Sequence, residues 1–343
     1  MREVTPETAV DYLRGQGRLP ERKAVEARAL GWGVSNVVMR LDIEGEPSIV
    51  LKQARERLRT KALWISRLER IWIERAALES LTPRLPEGTV PRVLFAVDED
   101  YLFAMTCAPD DSKVWKEQLL AGEVDAAVAG KAGELLGKIH AGSAGDPAFE
   151  PGGRFADLTV FDELRIEPFY RTIARVHPDL APRIEALIDS LLCPCRRGFV
   201  HADFSPKNIL VHSEGMGITL VDFETVHAGD PAYDLGFFLS HLLLKAVRAY
   251  PRESTLLAST WAFWESYFDH GDAYSDPTLV ARSNAHACAC ALARVDGTSP
   301  VDYLDDSRGA VVRQFAREGL LETPPTWDLL IDGLAREMRK LPS

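Results

Sequence analysis

The sequence predicts an α+β fold in two lobes, with an antiparallel sheet over residues 1–107 and a mostly helical remainder over 108–343. Three observations carry this. A chain of 343 residues is long for one core, and its 46% hydrophobic content is enough for two. Strand-like apolar runs occur at 30–38, 48–53 and 101–109. Helical periodicity dominates the rest, interrupted by one strand, loop and hairpin pattern near residues 198–224.

Thr5 can cap an opening helix with Pro6 in its first turn. Leu30-Gly31-Trp32-Gly33-Val34-Ser35-Asn36-Val37-Val38 reads as strand, glycine turn and strand. Ser48-Ile49-Val50-Leu51-Lys52-Gln53 is an apolar strand ending on a single lysine. Residues 71–81 have Leu78 and Leu81 at helical spacing, with Glu74 and Glu79 on the same segment. Tyr101-Leu102-Phe103-Ala104-Met105-Thr106-Cys107-Ala108-Pro109 is a strand closed by proline. The expected helices beyond it cover 123–140, 182–192, 234–249, 256–268, 277–294 and 309–320. Residues 142–153, rich in Gly and Pro, predict a surface loop.

The interruption holds the most informative run, His201-Ala202-Asp203-Phe204-Ser205-Pro206-Lys207-Asn208, followed by Val221-Asp222-Phe223-Glu224. Asp203 and Asn208 have the spacing of a kinase catalytic loop, where the Asp takes the proton of an attacking hydroxyl and the Asn holds a metal ion. Asp222 supplies the second metal carboxylate. A hairpin through Ser213-Glu214-Gly215 would return Asp222 beside Asn208, so that both share magnesium ions bridging nucleotide phosphates.

These motifs resemble the aminoglycoside phosphotransferase and choline kinase family of small-molecule kinases, with its H-x-D-x-x-x-x-N and D-x-[DE] patterns. Gly229-Asp230-Pro231-Ala232-Tyr233-Asp234-Leu235-Gly236 continues the likeness. The resemblance implies a protein-kinase-like fold, ATP and Mg2+ as cofactors, and a hydroxyl acceptor. It makes Asp234 a brace for the catalytic loop and His201 a structural residue, and it packs His140, in Leu135-Leu136-Gly137-Lys138-Ile139-His140-Ala141, nearby. It further implies Lys52 as the phosphate lysine, oriented by Glu74, with Glu79 as the alternative. Gly31, Gly33, Ser35 and Asn36 match the loop that covers the phosphates. The Thr106 carbonyl, the Ala108 amide and the Met105 side chain match the adenine hinge. Glu224 either assists a metal or braces the loop.

Methylthioribose kinases, a branch of the same superfamily, have a similar lengthened region between Lys52 and Glu74, here basic with Arg55, Arg57, Arg59, Lys61, Arg67 and Arg70. Their tail is echoed by Ala293-Arg294-Val295-Asp296-Gly297-Thr298-Ser299-Pro300-Val301, where Arg294 either reaches the acceptor or is a surface or helix-capping residue. That branch tends to lack the Asn at position 208 and to have Pro at 223. A nucleotide-binding pseudokinase is the alternative of another class, but it usually lacks a catalytic residue and none is missing. D-F-G and A-P-E are absent, against a protein kinase, and no G-x-x-x-x-G-K-[ST] is present, against a Walker-type NTPase.

The net charge of −11 argues against a nucleic-acid-binding face. Residues 1–107 carry 17 Lys and Arg against 16 Asp and Glu, leaving 23 against 35 in the remainder, a balance that mildly favours a cationic acceptor. No apolar run approaches the roughly 20 residues of a membrane span, and the first residues lack signal-peptide character, so the expected compartment is the cytoplasm. Cys193-Pro194-Cys195 and Cys288-Ala289-Cys290 lack the spacing of zinc or redox sites, so reduced thiols are expected. Acceptor identity and oligomeric state are not written in the sequence.

Overall fold

The apolar run at 49–54 becomes the middle strand of a five-stranded antiparallel sheet. In the computed structural model, which describes residues 1–31, 36–55, 66–194, 196–212, 217–271 and 276–342, the strands are β1 (Val25–Ala29), β2 (Asn36–Ile43), β3 (Ile49–Ala54), β4 (Val93–Val97) and β5 (Leu102–Thr106). Their order is β1-β2-β3-β5-β4. All six residues of β3 are buried, because strands and helices cover both of its edges and faces.

Successive side chains of a strand point to opposite faces, and this divides the sheet's two jobs. Leu51 joins Met39, Leu41, Leu102 and Ala104 in a core shared with Ala9, Tyr12 and Leu13 of α1 (Pro6–Gly15). Lys52, the next residue, turns to the other face, where α2 (Arg70–Leu81) packs. Pro6 opens α1, and the Thr8 hydroxyl accepts the Thr5 N–H at 3.0 Å.

The chain divides into two units, Met1–Asp110 with Thr219–Glu224, and Asp111–Ile218 with Thr225–Ser343. Relative to the expected division after 107, residues 108–110 and the segment Thr219–Glu224 fall with the first unit. The latter is held there by hydrogen bonds to backbone carbonyls, since the Leu220 N–H donates to that of Thr89 at 2.8 Å and the Thr219 hydroxyl to that of Gly88 at 2.6 Å.

The second unit begins with β6 (Lys113–Val114), α3 (Trp115–Ala121) and α4 (Ala126–Ser143). Asp125 caps α4 by accepting the Ala127 N–H at 2.8 Å, which places its start three residues later than periodicity suggests. Next come α5 (Thr159–Phe161), a π-helical stretch Asp162–Arg171, α6 (Thr172–Val176) and α7 (Ala181–Leu192). After β7 (Gly198–Val200), β8 (Ile209–Val211), β9 (Ile218–Leu220) and β10 (His227–Gly229) the chain is helical again. Its helices are α8 (Ala232–Ala249), α9 (Ser254–His270), α10 (Leu279–Asp296), α11 (Asp306–Leu321) and α12 (Trp327–Met338). β7 pairs antiparallel with β10, and β6 with β8.

Glycines bring helices to backbone contact at several points. A Cβ at Gly137 of α4 would lie 2.8 Å from the Tyr267 carbonyl of α9, and one at Gly236 of α8 would lie 2.5 Å from the Ser283 carbonyl of α10. The 142–153 segment is more than a surface loop. Helix α4 runs through Ser143, and Phe149 is buried against Phe155 and Phe199, with ring centres 4.8 and 5.6 Å away. Cys193 is exposed, and burial pushes the Cys288 and Cys290 thiols up to about 12. Among the described residues no helix is long and apolar enough to cross a membrane.

Candidate active site

In the first unit, Lys52 is the centre of an acidic shell. Its Nζ lies 2.6 Å from Glu74 Oε2 and 2.6 Å from Asp222 Oδ1. Glu74 reaches it because α2 crosses the face of β3 toward which Lys52 points. Glu79 instead lies near Arg75 at 3.7 Å and is half exposed. Burial disfavours the Lys52 charge, but Asp222, Glu74 and Glu224 outweigh that and raise its pKa. One cation shared among these carboxylates leaves one of them hard to ionise. Burial pushes Glu74 up to about 7, aided by the Asp222 charge and opposed by Lys52.

Glu224 is engaged elsewhere. Its Oε2 accepts from Asn36 Nδ2 at 2.7 Å and from Arg70 Nε at 3.1 Å. The fully buried Arg70 also donates from Nη1 to the Ser66 carbonyl at 3.1 Å and from Nη2 to the Arg55 carbonyl. The Asn36 amide nitrogen thus donates to a protein carboxylate, not outward. Gly31 is exposed, while Gly33 and Ser35, like the turn at 213–215, Arg57, Arg59, Lys61 and Cys195, lie outside the described residues. Met105 is buried near the end of β5, with Thr106 and Ala108 half-buried after it.

In the second unit the run 201–208 forms a tightly pinned loop. Asp203 Oδ1 lies 2.9 Å from Arg165 Nη2, and Oδ2 accepts from Asn208 Nδ2 at 2.7 Å. Arg165 also donates from Nε to the Ala202 carbonyl. Ala202 has φ of 61°, in the left-handed region that costs a non-glycine residue about 1–3 kcal/mol. Buried Asp234 holds it there, its two oxygens accepting the N–H of Ala202 at 2.8 Å and of His201 at 2.6 Å. His140 Nε2 lies 3.2 Å from the same carboxylate, and its Nδ1 lies 2.9 Å from the Tyr267 hydroxyl, the α9 residue that the Gly137 contact brings close. Burial works against the Asp234 charge, yet His140, His201 and the backbone donors keep its pKa below the usual carboxylate value. His201 is fully buried, and its Nδ1 accepts the Asp203 N–H at 3.2 Å.

Each unit offers oxygen donors of the kind a hard cation takes. In the second, Asn208 commits its amide nitrogen to Asp203 and keeps its side-chain oxygen as an acceptor, and in the first, the Asp222 side chain is 22% exposed. Among the described residues no group of three His, Cys, Asp or Glu could hold a metal by itself. Magnesium carried on phosphates needs only one or two protein oxygens.

Two residues of these clusters escaped the sequence reading. Arg70 counted only as one of a basic stretch, although an arginine at the first turn of an apolar helix is a signal for a buried ion pair. Arg165 sits in the π-helical Asp162–Arg171, where Pro168 and the widened turn erase the periodicity that would have marked a helix. Arg294, expected near the acceptor, has its guanidinium 6.0 Å from the Phe169 ring centre and donates to the Ser299 carbonyl.

Residues 26–270 match the phosphotransferase enzyme family (APH). A methylthioribose kinase of Bacillus thuringiensis (strain Al Hakam) is 25% identical over 299 residues, covering 77% of this chain and 73% of that protein. A choline/ethanolamine kinase family protein from Mesorhizobium loti shares the fold with a TM-score of 0.56 and 17% identity, over 97% of this chain and 99% of that one. The amicoumacin kinase hAmiN, solved with AMP-PNP, Ca2+ and Ami, gives a TM-score of 0.55 at 17% identity, over 93% of this chain and 95% of that one.

Proposed function

This chain belongs to the phosphotransferase enzyme family, and from that premise we propose that it transfers the γ-phosphoryl group of ATP, with magnesium, to a hydroxyl of a small acceptor. The observation that carries the assignment is the fixing of both Asp203 oxygens, one by Arg165 and one by Asn208, on a loop pinned by Asp234. A carboxylate so held is oriented before any acceptor arrives, and positioning with charge stabilisation is most of what phosphoryl transfer asks of a protein.

In this reading Asp203 accepts the acceptor hydroxyl proton as the new O–P bond forms and the bond to the departing ADP oxygen breaks. Arg165 keeps the Asp203 charge in place without touching the nucleotide. Lys52 serves the phosphates as a point charge, with Glu74 fixing its direction. Asn208 and Asp222 are assigned to magnesium, which when bound neutralises charge on the phosphate oxygens. Glu224, already paired with Arg70 and Asn36, is assigned the bracing role of the two left open by the sequence. The Thr106 carbonyl, the Ala108 amide and the Met105 side chain are assigned to adenine, and Gly31, Gly33 and Ser35 to the phosphates. The complex of amicoumacin kinase with AMP-PNP and Ca2+ supports an ATP-type nucleotide with a divalent cation.

The test is ATP- and magnesium-dependent ADP release across hydroxylated metabolites, with Asp203→Ala as the blank. Loss of a general base lowers turnover by about 10²–10⁴-fold, while ATP affinity persists. Turnover retained in Asp203→Ala removes Asp203 from the role. The likeness to methylthioribose kinase places thioribose-type sugars in the panel.

A further inference from the structure

The second unit is acidic overall, but the ground beside Asp203 is not. A chain of ring contacts links three basic residues there, and a hydrogen bond adds a fourth. The Arg165 guanidinium lies 5.8 Å from the Phe237 ring centre, and His241, one turn further along α8, lies 4.9 Å from the same ring. Phe237 lies 5.9 Å from Phe169, which carries Arg294 at 6.0 Å. One turn beyond His241 is Lys245, only 2% exposed, with its ammonium 5.7 Å from the Tyr303 ring centre and its single hydrogen bond to the His241 carbonyl at 3.0 Å. Lys116 and Lys207 add their charges around His241.

Among the described residues, neither Lys245 nor Arg294 has a carboxylate within ion-pair distance. The charges felt at Lys245 are all positive, from Lys116, Arg294 and Arg248. Arg294 feels Asp203, but Arg165 already pairs with that carboxylate. Among the described residues, the buried Arg294 Nε and Tyr303 hydroxyl have no hydrogen-bond partner. Burying a cation without counter-charge is costly, and orphaned buried donors add to that cost.

We propose that the acceptor is a hydroxylated anion whose carboxylate or phosphate is bound by Lys245 and Arg294, with the Tyr303 hydroxyl donating to it, while its hydroxyl faces Asp203. The proposal rests on the kinase reading above. It reverses the preference that net charge suggested, because net charge averages over solvated surface whereas an acceptor meets only the side chains around the catalytic carboxylate. Burial holds Lys245 at about 7, so the ammonium is available at neutral pH and an arriving anion favours it. Lys116, Lys207, Arg294 and His241 are half-buried and can reach a ligand.

The experiment has two readouts on the full chain. The first is thermal stability without nucleotide, at matched ionic strength, with glycerol 3-phosphate, glycerate, glycerol or ethanolamine added to the wild type, Lys245→Met and Arg294→Gln. The two anions should raise the wild-type melting temperature and the shift should vanish in Lys245→Met, a variant that melts no lower than the wild type on its own. Glycerate against glycerol 3-phosphate separates carboxylate from phosphate. The second readout is ADP release with the same compounds and with methylthioribose, where Lys245→Met should lower kcat/KM for the anionic acceptor by roughly ten- to hundredfold, the value of a lost charged hydrogen bond.

Anion shifts that are absent, or equal in wild type and Lys245→Met, overturn the inference. So does best turnover with neutral or cationic acceptors, and in that case the kinase reading stands. If anions stabilise through Lys245 but no compound gives Asp203-dependent ADP release, the anion site stands and the kinase reading fails.

Discussion

Asp234 Oδ1 accepts the N–H of Ala202 at 2.8 Å, and Ala202 is the residue whose left-handed backbone turns the chain into Asp203. A strained φ persists only where its surroundings over-determine it. Here the restraint comes from a helix N-terminus, since Asp234 lies in the first turn of α8 and its second oxygen takes the N–H of His201. The aim of the candidate base is therefore set by a residue 31 positions away that need not touch a substrate.

Asp234→Ala should destabilise the protein by about 1–3 kcal/mol for each of the two backbone N–H groups left unpaired, and should lower kcat far more than ATP affinity. Chemical denaturation and single-turnover kinetics check this. The pH dependence has a definite sign. The folded pKa of Asp234 is depressed, so its stabilisation is present above the unfolded carboxylate value and is lost as pH falls through the folded one. The stability gap between wild type and Asp234→Ala should therefore narrow below about pH 4.

Glu74 behaves in the opposite sense. Its folded pKa is raised to about 7 by burial, so between the unfolded carboxylate value and 7 the folded state holds a proton that the unfolded chain has released. Its titration then removes stability as pH climbs through that window. Glu74→Gln should flatten the stability profile between about pH 4.5 and 7, while Lys52→Met, which strands Glu74 and Asp222 beside each other, should cost about 3–5 kcal/mol. A profile that keeps its slope in Glu74→Gln assigns the titration to another group.

The sequence made the local chemistry legible where it was contiguous. Asp203, Asn208 and Asp234 stand in two short runs, so their spacing carried both their identity and their neighbourhood. Lys52 was singled out by the family resemblance, and the apolar run it was expected to end continues through Gln53 to Ala54. Long-range pairings were not. Glu224 meets Arg70 and Asn36, 154 and 188 positions away, and no period or motif encodes such a meeting. α12 and the run from Thr159 to Val176 went unread, the second because Pro168 and π-helical winding break the 3.6-residue pattern. The basic ground beside Asp203 was invisible for a third reason, as its members come from α3, the π-helical stretch, α8 and α10 inside an acidic half.

Arg70 and Glu224 form a buried ion pair with 0% and 8% of their side chains exposed. Removing one partner of such a pair costs about 3–5 kcal/mol, because the other charge stays buried, whereas removing both is far milder. Arg70→Met should therefore be more damaging than Arg70→Met with Glu224→Gln, with a coupling energy of about 1–3 kcal/mol in a double-mutant cycle. Additive losses would mean that Arg70 acts through its bonds to the Ser66 and Arg55 carbonyls and not through Glu224.

Lys245 gives a prediction with its own sign. Burial, with Lys116, Arg294 and Arg248 facing it, lowers its pKa to about 7, while His241 on the same helix is also held well below its usual value, first by burial and then by Lys245 and Arg294. Tyr303, whose ring the ammonium faces, is pushed up to about 12 by burial, opposed by Arg294 and aided by Asp302, so it stays neutral. Between about 7 and the unfolded lysine value the unfolded chain binds one more proton than the folded one, so stability rises with pH across that window. Lys245→Met should accordingly exceed the wild type in stability most at neutral pH and below, and the difference should shrink as pH approaches 10. Anion binding should run the other way in the wild type, weakening as pH rises past 7 because the ammonium that receives the anion is lost. Denaturation curves and anion titrations over pH 6–10, in wild type and Lys245→Met, would show opposite slopes if one buried ammonium governs both, and parallel slopes if it governs neither.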